Sequence, residues 1–184
     1  MLNEIILVDK KDRVAGAASK IEVHRKGKLH RAFSIFIFNR KGELLLQQRA
    51  AGKYHSGGLW TNTCCGHPRP GETVASAARR RLREEMGLDC QLTKIFDFIY
   101  RAKLDNAMWE YEFDHVLIGK FNGKPKINPA EAEAFKWIDR KSLARDIRQD
   151  PRGYTRWFKK CYIQVFKATK DKTPFKQISD PVRN

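Results

Sequence analysis

Residues 61–87 read TNTCCGHPRPGETVASAARRRLREEMG, and the second half of this stretch behaves as one helix. Val74, Ala78, Leu82 and Met86 recur every four residues, which lays a single apolar stripe along a helical face. Gly87 follows as a left-handed stop. Arg80 and Glu84, like Arg81 and Glu85, stand one turn apart and pair on other faces of the same helix. The first half is different in kind. Cys65, Gly66 and His67 put a thiol and an imidazole two residues apart on one tight backbone turn, a nucleophile or base beside a metal ligand. A buried core cysteine does not require a Gly-His-Pro turn after it, so Cys65 is the candidate for chemistry, while Cys64 and Cys90 are read as ordinary small buried thiols.

The 184 residues suffice for one domain with a real core, and the whole chain is read as that domain, with a short N-terminal extension (about 1–19) and a polar tail (about 170–184) expected to be mobile. The formal charge of +16 implies an anionic partner, but the 37 basic residues are spread through the chain instead of forming a tract. Most of them are read as solvated surface. Four cysteines without paired CxxC spacing suit a reducing compartment. The start carries Glu4 and only a short apolar run, unlike a secretory or transit peptide, and nothing approaches the ~20 apolar residues of a membrane span. These features predict a cytoplasmic protein.

Going along the chain, residues 4–8 read as a strand and 9–13 as a polar turn, with 21–24 leading through a basic loop at 25–28. Residues 32–38 are almost wholly apolar, as a central strand covered on both faces should be. A turn at 39–42 returns the chain as a hairpin partner at 43–48. The Gly-rich, basic loop 50–58 suits a phosphate-facing lid, though most such loops are only loops. Strands are expected at 90–101, 107–120 and 135–138, and helices at 141–150 and 155–168. In the second of these strands Trp109, Tyr111 and Phe113 share one face and Glu110, Glu112 and Asp114 the other. This mixture implies an α/β sandwich with a mixed sheet. Glu110 and Glu112 would repel unless a cation lay between them. On the residues alone, a solvated polar face is the better account of them.

From Gly66 there are five residues to Glu72 and seven more to Arg80, followed by Leu82, Glu84, Glu85 and Gly87. These are the spacings of a Nudix box, and the chain resembles that superfamily, whose fold is an α/β/α sandwich with a mixed β-sheet. One position departs: where the hydrolases carry Glu directly after the box Arg, this chain has Arg81. With TNTCCGHP ahead of the helix, the chain looks like the type 1 isopentenyl-diphosphate isomerases, with matched landmarks from Lys20 to Trp157.

That resemblance implies a site. It assigns an octahedral metal to His24, His30, His67, Glu110 and Glu112, with manganese, zinc and magnesium all suited to mixed nitrogen and oxygen ligands. A second metal, magnesium, would sit between Glu85 and the substrate diphosphate. Lys20, Arg49, Lys53, Arg81 and Ser34 correspond to the diphosphate-binding positions, and Arg81 thereby exchanges a metal-binding carboxylate for a phosphate-binding cation. Glu112 is assigned to proton delivery, Cys65 to proton removal on the opposite face, Tyr100 to a hydrogen bond supporting the Glu, and Trp157 to a lid whose ring steadies a cation. The implied partner is a small diphosphate, with no specific nucleic acid, no membrane, and a monomer or weak homodimer. The second-ranked expectation is a Nudix hydrolase of a nucleoside diphosphate derivative, an activity that Arg81 and the three histidines disfavour. A basic RNA-binding or zinc-stabilised module ranks third, because paired CxxC and stacked aromatic motifs are lacking.

Overall fold

The structure, a computed structural model, describes residues 4–104 and 107–169, so the tail after 170 lies outside the described residues. Its organising strand is β3 (His30–Phe38), in which every residue from Ala32 to Phe38 is buried. Phe33, Ile35 and Ile37 pack on one face against Ala77, Ala78, Leu82 and Met86 of α2 (Val74–Met86). Phe36 and Phe38 pack on the other against Phe158, Cys161, Val165 and Phe166 of α4 (Arg156–Ala168), with Leu143 and Ile147 of α3 (Arg140–Gln149) in the same cluster. A strand with helices on both faces has no side that water reaches, which explains its continuous apolar run.

Both edges of β3 are used. One pairs in parallel with β8 (Trp109–Lys120) from His30↔Glu112 to Phe38↔Lys120. The other meets, in turn, β1 (Glu4–Val8) at Leu7↔His30, β6 (Cys64–Gly66) at Ser34↔Cys65, and β4 (Leu44–Arg49) at Phe38↔Leu44, all antiparallel. β7 (Leu92–Lys103) runs antiparallel to β8 and sets Tyr100 opposite Glu112. β9 (Ala132–Ile138) and the two-residue β5 (Trp60–Thr61) pair with β4. The result is the expected mixed sheet with helices on both faces.

Three details differ from the sequence expectations. Lys20–Lys26 is a helix, α1, where residues 21–28 were expected to lead into a loop. The Ser19 side chain accepts from the Glu22 N–H at its start and Gly27 takes φ 59° at its end, but two turns are too short for a periodic stripe. Val14–Ser19 is a strand, β2, that pairs with β1, so the N-terminal extension joins the sheet. Its Val-Ala-Gly-Ala-Ala-Ser composition carries no alternation, because it is an exposed edge. Cys64–Gly66 is a short strand, not a turn; backbone pairing with β3 holds it. Among the described residues no helix is long and apolar enough to cross a membrane.

Candidate active site

The acidic face of β8 points inward. Glu110 is 3%, Glu112 7% and Asp114 0% exposed, whereas Trp109, Tyr111 and Phe113 on the opposite face are half-buried. The solvated-face account of these carboxylates therefore fails, and the reason is tertiary: α1, β6 and the 50–58 loop cover that face. His24 from α1, His30 from the start of β3, His67 just after β6, and Glu110 and Glu112 from β8 each bring one ligand atom into a cluster in which all five lie within 4.8 Å of one another.

Their hydrogen bonds aim them. Nδ1 of His24 lies 2.7 Å from the Lys20 carbonyl and Nδ1 of His30 lies 2.9 Å from the Lys28 carbonyl, so each ring carries its proton on Nδ1 and turns the Nε2 lone pair inward. Burial pushes His24 and His67 below the ordinary imidazole range, which keeps them neutral ligands. Burial and the nearby charge of Glu112 hold the Glu110 carboxyl well above the usual range. Nε2 of His24, Nε2 of His30 and Oε2 of Glu110 are buried without a hydrogen-bond partner. Orphaned lone pairs converging with a repelling carboxylate pair are what a divalent cation would satisfy, so the residues fit a metal.

One pocket joins this cluster to the other expected residues, for Cys65, Tyr100, Trp157, Ser34, Glu85 and the cations Lys20, Arg49, Lys53 and Arg81 all line it. The Tyr100 hydroxyl donates to Oε2 of Glu112 at 2.5 Å. Cys65 faces the pocket while its neighbour Cys64 is fully buried towards α2, as alternation on β6 requires. Burial pushes the Cys65 thiol up, and Arg49 opposes the shift. Arg49 donates to the carbonyls of Ser56 and His55 at 3.2 Å and lies over the Trp157 ring at 5.4 Å. Glu85 accepts from Gln47 at 2.8 Å and from Arg81 at 2.5 Å. Each oxygen of Glu85 thus accepts one hydrogen bond and keeps a lone pair for a cation.

Two expectations change in detail. Trp157 is 3% exposed and its Nε1–H donates to Asn62 at 3.2 Å, so in this structure it is part of the pocket wall. Ser34 spends its hydroxyl proton on Asp114 at 2.7 Å, which leaves it no proton for a phosphate oxygen. Two residues were missed. Glu131 ties Lys53 and Arg81 together, and the only sequence signal was an acid in a Pro-Ala-Glu-Ala-Glu run. His55, 5% exposed, lies with Nε2 3.3 Å from Oε1 of Glu110. Its place in a Gly-rich loop concealed it. Burial, followed by the Arg49 charge, pushes this imidazole down to about 3.

Known proteins resemble this chain in sequence and in fold. The NUDIX domain family matches residues 28–158. Isopentenyl-diphosphate Delta-isomerase 2 of Aromatoleum aromaticum is 53% identical over 165 residues, covering 90% of this chain and 87% of that protein. The protein of the same name from Photorhabdus laumondii is 57% identical over 156 residues, 85% of this chain and 88% of its own length. The crystal structure of DR0079 from Deinococcus radiodurans superposes with a TM-score of 0.72 at 18% identity, covering 93% of this chain and 100% of that one, a likeness of fold alone. By its matched domain and by these relatives, the chain belongs to the isopentenyl-diphosphate Delta-isomerase family of the Nudix superfamily.

Proposed function

We propose that this chain interconverts isopentenyl diphosphate and dimethylallyl diphosphate by adding a proton to one carbon of the alkene and removing one from another. The observation that carries the reading is that Cys65 and Glu112 sit on strands at opposite edges of β3 and line the same pocket. An alkene is a poor base, so its protonation needs a strong acid in a dry site, and the tertiary cation that forms must meet only one base.

In this reading Glu112 gives its proton to the terminal carbon, its carboxylate steadied by the Tyr100 hydroxyl. Cys65, whose thiolate form the Arg49 charge favours against burial, takes a proton from the carbon beside the ester-bearing methylene. The double bond moves by one position and the two protein groups exchange protonation states, so charge and protons balance. Trp157 and Tyr54, which line the pocket, wall the cation from water. Lys20, Arg49, Lys53 and Arg81 bind the diphosphate, which competes with Glu131 for Lys53 and Arg81. A divalent ion held by His24, His30, His67, Glu110 and Glu112, manganese, zinc or magnesium, would fix the two carboxylates and strengthen Glu112 as an acid, while magnesium would join Glu85 to the diphosphate. A reducing, cytoplasmic setting suits the thiol.

Incubation of the purified chain and Mg2+ with isopentenyl diphosphate, followed by 31P and 1H NMR, tests this. Dimethylallyl diphosphate should accumulate with the diphosphate intact. Release of inorganic phosphate or diphosphate at a matching rate would favour the hydrolase.

A further inference from the structure

His55 is a buried polar side chain to which the chemistry above gives no task. It sits between β4 and β5, on the wall of the pocket, with Tyr54 edge-on at 4.3 Å and Trp157 edge-on at 5.9 Å fixing its ring. Its Nε2 lies 3.3 Å from Oε1 of Glu110. The other oxygen of that carboxylate, Oε2, has no hydrogen-bond partner and faces Nε2 of His24 at 3.6 Å.

Glu112 is divided in the same way. Its Oε2 accepts the Tyr100 hydroxyl, and its Oε1 faces His67 at 3.0 Å and His30 at 3.4 Å. Each carboxylate thus turns one oxygen into the cage and has the other beside a group outside it, the Tyr100 hydroxyl in one case and the His55 ring in the other. Nδ1 of His55 is 3.3 Å from the Ser56 hydroxyl oxygen. That hydroxyl can donate to Nδ1, which leaves the ring proton on Nε2, facing Glu110. His55 is not among the five residues whose ligand atoms converge.

We propose that His55 is a positioning residue for the metal cage, donating its Nε2–H to Oε1 of Glu110 and so aiming Oε2 at the ion. The inference rests on the cage reading above. A carboxylate with one oxygen held from outside cannot swing away or close on the ion with both oxygens, and partners of this kind are typically worth about 10- to 100-fold in metal affinity.

The test is Mn2+ affinity of the metal-stripped full chain, measured by competition with a chelator, for His55→Ala, His55→Phe and His55→Gln, with His67→Ala in parallel. The Ala and Phe variants should bind Mn2+ about 10- to 100-fold more weakly, whereas Gln, whose amide can donate to Glu110, should recover most of the loss. Phe retains bulk without a donor. Wild-type affinity in His55→Phe, or Gln no better than Ala, would overturn the positioning role. Wild-type affinity in His67→Ala would instead overturn the cage itself. Circular dichroism of the metal-free variants restricts the comparison to folded protein; if His55→Ala does not fold, Gln against Phe decides.

Discussion

Cys64 and Cys65 are neighbours with opposite surroundings, because successive side chains of a strand point to opposite faces. Cys64 packs under α2, and Cys65 opens on the pocket. Cys65→Ser keeps the volume and loses the thiol's acidity and nucleophilicity; Glu112→Gln keeps a carbonyl oxygen that can touch a metal but has no proton to give the alkene. Each should lower kcat by at least ~100- to 10,000-fold, the usual range for a positioned acid or base, while diphosphate binding persists because Lys20, Arg49, Lys53 and Arg81 are untouched. Cys64→Ala should keep turnover near wild type and lose on the order of 1 kcal/mol of stability to the small cavity. A dead Cys64→Ala beside an active Cys65→Ser, in steady-state assays of both, would put the catalytic thiol on the other cysteine. Part of this was legible in the sequence, since the Gly-His-Pro that follows singles out Cys65. The partner that aims Glu110 was not, because nothing in a Gly-rich loop says that its histidine turns inward.

The element most fully legible was α2, because stripe and stop agree, and the structure adds the cap. Thr73 accepts the Ser76 N–H, Ala78, Leu82 and Met86 are fully buried, and Gly87 takes φ 61°. A Cβ on Gly87 would stand 2.6 Å from the Lys126 carbonyl oxygen, so that backbone crowding adds to the left-handed strain. Gly87→Ala should therefore lower stability by about 1–3 kcal/mol, read as a fall in Tm, and because Glu85 lies two residues before it, apparent magnesium affinity in the assay should weaken too. An unchanged Tm would contradict the crowding. The strand β8 was legible only in part. Its alternation fixes which residues share a face, but an inward acidic face and a solvated one share one pattern, and the choice depends on α1 and β6, which cover it from elsewhere in the chain. α1 itself was invisible as a helix for want of length.

For the whole molecule, the +16 charge overstates the site's needs, since among the described residues four Lys and Arg side chains line the pocket, two of them tied to Glu131. The site's larger demand is the cost of burying Glu110 and Glu112 together, which a bound cation offsets. Stripping the metal with a chelator should lower Tm, and added Mn2+ or Zn2+ should restore it, with a rise that grows with metal concentration as linkage requires. A Tm indifferent to chelator and metal would argue against the cage. The central claim is that one residue on one side of the pocket delivers a proton from solvent and another removes one from the opposite side. Isomerisation in heavy water, with the product read by 2H NMR in the first turnovers, tests it most directly. The account predicts one deuterium in a methyl group of dimethylallyl diphosphate. Product formed at full rate without deuterium would mean that the substrate's own proton is passed across one face, and would contradict the two-residue mechanism.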